Sequence, residues 1–399
     1  MKTVVCAPDK FRGALTSTQA ASAMARGAKT AGWVAVEHPI ADGGEGTREI
    51  IISAGVGRVR HVDTVDSLGR AATVPYVLDE AGTAIIVAAD VIGVATLADH
   101  ELDPLAATSR GLAQPILAAQ AAGASRVIIF IGGVATVDGG LGLISALGGT
   151  VKSIDGLPLG GVGGDLLAVR HLDLRPALQR ISNVELLVAT DVSSPLYGAD
   201  GAAHVFGPQK GADRATVLLL DRGLEHLAGY LGDVAGRPGA GAAGGLGAAL
   251  MALGATRVSG ADTLLELTNF RSRIRGVDLC LTGEGKVDRG TAAGKAAAAV
   301  ITACQEESVP CAVLGGTLTH DAEDLYPLGT AGVFAIGRKP QALTRALEET
   351  AEDLERTTRA VCSFAEAVRV HASLTGTGDR PPPGAGSQSE ALFQLCGGS

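Results

Sequence analysis

The stretch VDLCLTGEGKVDRGTAAGKAAAAVITAC, residues 277–304, determines the class of fold that we expect. A short apolar run is followed by glycines, acids and lysines, and then by an alanine-rich run long enough for a helix. A strand, a turn and a helix in this order are typical of a parallel sheet with helices on its faces. Backbone N–H groups at a strand end and in a first helical turn attract anions, so the glycine-rich turn is a candidate phosphate site.

The composition agrees with an α/β enzyme of more than one domain. The chain has 399 residues, of which 46% are hydrophobic and only 3% aromatic, and it contains 56 glycines. This length exceeds what one core usually serves, so two domains are expected. The net charge of -9 and the lack of a basic run argue against nucleic-acid binding. Without a signal-peptide core or a membrane-spanning run, we expect a soluble cytoplasmic protein.

The patterns of strands and helices predict how the chain divides. Strands and helices alternate near both ends, whereas the runs GRVRHVDTV, ATVPYVL and TAIIVAA follow one another without helices, as in a meander. We therefore predict a Rossmann-like, three-layer α/β domain from residues 1–64 and 265–372, and an inserted mixed α/β domain from 65–264, with the active site in the cleft. One helix is predicted over 104–122. The Gly, Pro and Ser-rich residues 373–399 are predicted to be disordered.

Further clusters of glycine and acid follow other predicted strands. ADGGEGT places Asp42 and Glu45 after VAVEHPI, GGVATVDGGLG contains Asp138, and TDVSSPL contains Asp191, while VFGPQKGA adds Lys210. Ligands of open α/β sheets bind at the carboxyl ends of the strands. Because carboxylates suit Mg²⁺ or proton abstraction and lysines suit phosphates, the clusters together predict a cleft for a phosphorylated ligand with Mg²⁺.

Two segments resemble familiar nucleotide-binding motifs, but neither fulfils all the requirements of its motif. The segment 281–295 fails as a P-loop, because three residues instead of four separate Gly290 from Gly294 and Ala296 replaces the required hydroxyl residue. GAGAAG at 239–244 matches the dinucleotide pattern but does not follow a strand, so its glycines either bind phosphate or permit tight helix packing. The six cysteines show neither a CxxC pair nor metal-ligand spacing, which indicates buried free thiols.

Six segments in one order resemble the bacterial glycerate kinase family: APDKFRGALTS, ADGGEGT, GGVATVDGGLG, TDVSSPLYGADGAAHVFGPQKGA, PGAGAAGGLGAAL and TGEGKVDRGTAAGK. The resemblance covers residues 1–367. It implies ATP-dependent phosphorylation of D-glycerate to 2-phosphoglycerate with release of ADP, with Mg²⁺, as in glyoxylate metabolism. Val134 and Val137 stand where the family usually has a hydroxyl and an amide. These two departures leave a kinase of a related small hydroxy acid and a non-catalytic metabolite-binding relative as alternatives. 3-Phosphorylation is a further alternative, because both hydroxyls belong to one small substrate.

The resemblance, combined with the needs of phosphoryl transfer, nominates the site residues. The catalytic candidates are Asp191, Asp42 and Lys10, with one of the two acids orienting the attacking hydroxyl. The substrate-binding candidates are Asp9, Arg12, Gly43, Gly44 and Glu45, with Arg12 meeting the carboxylate of glycerate. The nucleotide or phosphate-binding candidates are Gly283, Gly285, Lys286, Lys295, Gly133, Lys210 and Gly244. The Mg²⁺ candidates are Glu284 and Asp288. Glycerate is the expected partner, with neither nucleic acid nor membrane, and a homo-oligomer stays open.

Overall fold

The structure, a computed structural model, describes residues 1–292, 294 and 296–375, with side chains to residue 371. The last helix continues to Thr375, and residues 376–399 of the predicted tail lie outside the described residues. None of the helices in the described ranges is both long and apolar enough to cross a bilayer.

The described part of the chain contains strands β1 to β13 and α-helices α1 to α15. The strands are β1 Thr3–Pro8, β2 Val34–Glu37, β3 Arg58–Val65, β4 Ala71–Leu78, β5 Thr83–Val87, β6 Arg126–Phe130, β7 Thr150–Lys152, β8 His171–Asp173, β9 Glu185–Ala189, β10 Thr256–Val258, β11 Leu279–Val287, β12 Cys311–Leu318 and β13 Gly332–Ala335. The α-helices are α1 Ser17–Thr30, α2 Thr47–Ser53, α3 Ala89–Ile92, α4 Ala113–Ala121, α5 Leu141–Ala146, α6 Arg175–Arg180, α7 Ala202–Phe206, α8 Arg214–Leu231, α9 Leu246–Ala252, α10 Gly260–Leu267, α11 Phe270–Ile274, α12 Arg289–Ala292, α13 Ala296–Glu306, α14 Leu343–Glu348 and α15 Thr350–Thr375. Short 3₁₀ helices lie at Val94–Thr96, Asp99–Glu101, Arg110–Leu112, Gly163–Ala168, Pro208–Lys210, Gly232–Gly236, Ala242–Gly245 and His320–Leu328.

The first sheet is parallel and has five strands in the order β13-β12-β11-β1-β2. Alternate side chains of its strands point to opposite faces. Cys6 and Leu281 pack with α1 and α15 on one face, whereas Val5 and Cys280 pack with α13 on the other. Counted within this sheet, the order is 2-1-3-4-5, the flavodoxin-type arrangement and not the six-strand Rossmann order. In such sheets the ligand crevice lies where the strand order reverses, here between β1 and β11.

The second sheet is mixed and has six strands in the order β10-β9-β6-β5-β4-β3. Strands β3, β4 and β5 are antiparallel neighbours, as the meander predicts, and the remaining pairs are parallel. One face of this sheet packs against α4, α5, α8 and α9 and forms the largest hydrophobic core with them. Its other face packs on Ile50 and Ile51 of α2 and on Leu264 of α10. Because Ala261 and Leu265 of α10 also join the core of the first sheet, this helix connects the two sheets.

Two features of the second sheet and its helices differ from the expectations drawn from the sequence. Strand β3 pairs with β4, so residues 58–64, which the predicted division places in the first domain, belong to the second sheet. The helix predicted over 104–122 begins only at Ala113. Before it, the Thr108 amide donates to the Ser67 carbonyl and its hydroxyl to the Gly161 carbonyl, so long-range bonds replace the helical ones. The remaining division into domains stays a prediction.

Strand β11 also runs further than its sequence indicates. Gly283 pairs with Pro8 of β1, and the strand continues beside β12 as far as Val287. The predicted phosphate-binding turn at Gly283 and Gly285 is therefore extended strand. A Cβ at Gly283 would lie 2.0 Å from the carbonyl oxygen of Leu314, so glycine is required there by packing between β11 and β12.

This contact predicts a loss of stability in Gly283→Ala. We expect the free energy of unfolding to fall by about 1–3 kcal/mol, because the added methyl group separates two paired strands. Urea denaturation measures the change. The control is Gly229→Ala in α8, where a Cβ meets nothing within 4 Å, and which should leave stability unchanged or slightly raised. A wild-type midpoint for Gly283→Ala would contradict the packing requirement.

Candidate active site

Two pairs of glycines bring the two sheets together at the carboxyl ends of their strands. Gly43 and Gly44 follow β2 of the first sheet, and Gly132 and Gly133 follow β6 of the second. A Cβ at Gly132 would lie 2.9 Å from the backbone nitrogen of Gly44 and 3.0 Å from the carbonyl carbon of Gly43. Only glycine permits this approach. The ends of β1 and β2 therefore face the ends of β5 and β6.

A cleft of about 930 Å³ lies at this junction. The N-terminus of α1 forms one wall, and the Thr16 hydroxyl caps it by accepting a hydrogen bond from the Gln19 amide. Helix N-termini favour anions. Six of the predicted site residues line the cleft: Lys10, Arg12, Asp42, Gly44, Glu45 and Gly133.

An ion pair between Lys10 and Asp42 lies at the centre of these residues. Lys10 Nζ is 3.1 Å from Asp42 Oδ1, and the Gly44 amide donates to the same oxygen at 3.2 Å. Burial would lower the pKa of Lys10, but Asp42, Asp9 and Glu45 outweigh it and raise that pKa above its usual value. Lys10 is therefore a fixed positive charge next to a carboxylate that its own loop orients.

Asp9 lies directly behind this pair and is buried. The Lys10 amide donates to Asp9 Oδ1 at 2.6 Å, and the Ser17 hydroxyl approaches the same oxygen at 3.5 Å. Burial and, next, the charge of Asp42 raise the pKa of Asp9 to about 7, against the attraction of Lys10; Glu284 adds to the rise. Several carboxylates thus share one region with too little positive charge, which favours a bound cation.

Arg12 and Arg48 are the two arginines of the cleft, and they differ in their partners. Arg12 is exposed, and among the described residues its side chain forms neither a hydrogen bond nor an ion pair. Arg48 pairs with Glu49 and lies with Nη1 3.5 Å from Asp90 Oδ2. Arg12 is therefore the arginine available to an anionic ligand.

Arg48 and Asp90 were not found from the sequence. Burial, helped by Glu49 and Glu45 and opposed by Arg48, raises the pKa of Asp90 to about 6. Asp90 follows β5 as Asp42 follows β2, so the strand-end rule that located the other acids could have located it too. Arg48 lies in the first turn of α2 and pairs with a residue 42 positions away, which no local pattern indicates.

Asp191 is not among the residues that line the cleft. It accepts hydrogen bonds from the Ser259 hydroxyl at 2.9 Å and from the amides of Gly260 and Ala261 at 2.9 and 3.0 Å. Burial raises its pKa, although these donors oppose the rise. The carboxylate holds the N-terminus of α10, the helix that connects the two sheets, so in this structure its position is that of a helix cap.

Lys210 and Gly244 are also absent from the cleft lining. They lie among the elements that pack on the second sheet. The ammonium group of Lys210 is buried and donates to the Thr136 carbonyl at 2.7 Å. Burial lowers its pKa to about 7, and buried Asp138 opposes this. Gly244 packs against the same loop, since a Cβ there would lie 2.0 Å from the Thr136 carbonyl oxygen.

The remaining phosphate and metal candidates lie in β11, the neighbour of β1, or directly after it. Lys286 is exposed and its Nζ lies 3.2 Å from Asp288 Oδ2. Asp288 also accepts from the Gly290 amide at 2.9 Å. Gly285 permits the chain at Phe11 and Arg12 to pass close to β11, since a Cβ there would be 3.1 Å from the Arg12 nitrogen. Lys295 lies outside the described residues.

Comparison with known proteins agrees with this architecture. Residues 4–366 match the model of the glycerate kinase family. The chain is 37% identical over 369 residues to a glycerate kinase of Bacillus subtilis (strain 168), with 90% of this chain and 97% of that protein covered. It is 36% identical over 371 residues to a glycerate 2-kinase of Escherichia coli (strain K12), with the same coverage. A crystal structure from Salmonella typhimurium LT2, provisionally named glycerate kinase 2, superposes with a TM-score of 0.75 at 32% identity, covering 92% of this chain and 99% of that one.

The raised pKa of Asp9 predicts a pH-dependent effect on stability. Its pKa is higher in the folded than in the unfolded chain, so its contribution to stability is present at low pH and is lost as pH rises from about 4 to about 7. Between about pH 5 and about pH 8, Asp9→Asn should gain on the order of 2 kcal/mol relative to the wild type. Urea denaturation at both pH values measures this gain. Both proteins contain the same histidines, so the effect of histidine titration cancels when their free energies of unfolding are subtracted. A difference that does not change with pH would contradict the raised pKa.

Proposed function

This chain belongs to the glycerate kinase family of phosphotransferases, and we propose that it transfers the γ-phosphoryl group of ATP to D-glycerate in the cleft between its two sheets. The observation that carries the proposal is the Lys10–Asp42 ion pair with Asp9 behind it, at the junction of strand ends from both sheets. A fixed cation beside an oriented carboxylate is the arrangement that phosphoryl transfer to a hydroxyl needs.

In the proposed reaction, Asp42 accepts a hydrogen bond from the attacking hydroxyl of glycerate and takes its proton as the new O–P bond forms. Its Oδ1 is occupied by Lys10 and Gly44, which leaves Oδ2 to face the substrate. The charge of Lys10 stabilises the phosphoryl oxygens in the transition state. Phosphoryl transfer gains most from such positioning and charge neutralisation.

The carboxylate of glycerate binds Arg12. An exposed guanidinium without a partner among the described residues offers two parallel N–H groups to a carboxylate. The loop that carries Asp42 also contains Gly43, Gly44 and Glu45. This loop places the hydroxyl groups of glycerate next to Asp42. The N-terminus of α1 adds a favourable potential for either anion.

Mg²⁺ fits the acidic side of this site. Burial is the main cause of the raised pKa of Asp9, and the charges of Asp42 and Glu284 add to it. Oxygen donors of this kind suit Mg²⁺, which is commonly held by one or two carboxylates together with phosphates. Glu284 and Asp288 are the proposed ligands, as the sequence indicates. When bound, the ion neutralises charge on the phosphates of ATP.

The nucleotide phosphates are proposed to lie along the edge formed by Gly133 and the end of β11, within reach of Lys286. The end of β11 adjoins the point at which the strand order of the first sheet reverses, where ligands of doubly wound sheets bind. We also propose a discontinuous first domain and an inserted second domain, with the boundary between them before β3. The enzyme is proposed to be cytoplasmic, in agreement with the metabolic reaction of its family.

The proposed product is 2-phosphoglycerate. The relative from Escherichia coli named glycerate 2-kinase supports this choice of hydroxyl. A coupled assay tests it: with enolase alone, the product should be converted directly, whereas 3-phosphoglycerate would be converted only after phosphoglycerate mutase is added. A signal that requires the mutase would contradict 2-phosphorylation while leaving the kinase activity intact.

The two acids proposed for catalysis are separated by a pair of variants. Asp42→Asn should lower kcat by about 10²–10⁴-fold, the usual cost of losing a general base, with the fold intact. Asp191→Asn should lower the midpoint of unfolding and change kcat far less, because Asp191 caps α10 away from the cleft lining. ADP release at saturating substrate and urea denaturation measure the two effects. If Asp191→Asn were the more damaging change to kcat, the assignment to Asp42 would be wrong.

Arg12 is tested through the KM for glycerate. Arg12→Ala should raise that KM by about 10-fold or more, since a charge-assisted hydrogen bond contributes roughly 1.5–3 kcal/mol, while the KM for ATP stays near its wild-type value. Arg12→Lys keeps the charge without the fork and should fall between the two. An unchanged KM for glycerate in Arg12→Ala would refute this role.

A further inference from the structure

Three cysteines that are separate in sequence meet in the core of the first sheet. Cys280 lies in β11, Cys304 in α13 and Cys311 in β12, where Cys311 is the register partner of Cys280. Their Sγ atoms all lie within 4.8 Å of one another, and all three residues are buried. The cysteines lack metal-ligand spacing in the sequence, but the fold brings three of them together.

The three sulphur atoms can share one central atom. A point within about 2.8 Å of all three exists for any triangle with edges of at most 4.8 Å, and metal–sulphur bonds of about 2.3 Å are normal. Small side-chain shifts therefore suffice. No described His, Asp or Glu completes this group, so its donors are sulphur alone.

The surroundings decide which atom this group can hold. The cluster lies in a core of Val5, Ala7, Val300 and similar apolar residues. A net charge in such a place carries a large desolvation cost. Three thiolates around Zn²⁺ leave one negative charge, and around Cu⁺ they leave two, whereas around a trivalent ion they leave none. Zn²⁺ in proteins is also almost always four-coordinate, and a fourth ligand is lacking among the described residues.

We propose that Cys280, Cys304 and Cys311 form a binding site for trivalent arsenic, taken up as neutral arsenous acid, As(OH)₃. Three As–S bonds form and three As–O bonds break, and each thiol proton leaves with a hydroxide as water. Arsenic stays trivalent and sulphur stays in its thiol oxidation state, so neither an oxidant nor a reductant is needed. Neutral reactants give a neutral product within the apolar core.

Binding would tie β11, β12 and α13 together just before β11 reaches Gly283 and Glu284. Each of these elements would then be held by a covalent link in addition to its packing. The site is independent of the proposed phosphoryl transfer, because none of the three cysteines lines the cleft.

The test uses the full chain, reduced with a phosphine and freed of small thiols, incubated with arsenite. We expect one tightly held arsenic per chain, and the arsenic X-ray absorption edge should show three sulphur neighbours and no oxygen. In native mass spectra the adduct should carry one arsenic and have lost three hydrogens. A tenfold excess of Zn²⁺ should not displace it.

Variants locate the site. Cys304→Ala should weaken arsenite binding by at least 10-fold and leave two sulphur neighbours and one oxygen; Cys311→Ala serves in its place if that variant does not fold. The matched control is Cys362→Ala, a buried cysteine on the opposite face of the sheet near Cys6, which should bind as the wild type does. No retained arsenic, an oxygen neighbour in the wild type, displacement by Zn²⁺, or loss of binding in Cys362→Ala would each overturn the proposal.

Discussion

The contact between two pairs of glycines is the constraint on which the rest of the site depends. Gly43 and Gly44, after β2 of the first sheet, meet Gly132 and Gly133, after β6 of the second sheet. A Cβ at Gly132 would lie 2.9 Å from the Gly44 nitrogen. A side chain at this point would push the strand ends apart. Because the Gly44 amide also orients the Asp42 carboxylate, the same loop that joins the two sheets positions the group proposed to take the proton.

Charge balance is the second organising feature of the cleft. Lys10 stays protonated because Asp42, Asp9 and Glu45 surround it, and Asp9 in turn gains a pKa of about 7 because burial and Asp42 disfavour its charged form. The cleft thus has acidic groups around Lys10 and an exposed guanidinium at Arg12. The arrangement thus suits two negatively charged substrates that must approach each other, with neutralisation supplied by fixed groups.

Much of this architecture could be predicted from the sequence, since strand-end glycines and acids mark the carboxyl edge of a parallel sheet. That rule identified Asp42, Glu45 and Gly133 as candidate site residues. The resemblance to a known family, combined with the needs of phosphoryl transfer, then assigned them to catalysis, substrate binding and phosphate binding, respectively. Asp191 carries the same signature, and its carboxylate accepts hydrogen bonds at the N-terminus of α10, because an acid at a strand end can serve either a ligand or the next helix. Pairings between distant residues, such as Arg48 with Asp90 or the three cysteines, depend on tertiary packing and have no local pattern. The extension of β11 beyond Gly283 likewise follows from its partner strand β12.

We propose that one cleft, at the junction of strand ends from both sheets, holds both substrates. A crystal structure of the protein with D-glycerate and a non-hydrolysable ATP analogue tests this most directly. We expect a glycerate hydroxyl within hydrogen-bonding distance of Asp42, the glycerate carboxylate on Arg12, and the terminal phosphate of the nucleotide near Lys10. Glycerate bound at Asp191, or the nucleotide phosphates bound at Lys210, would contradict it.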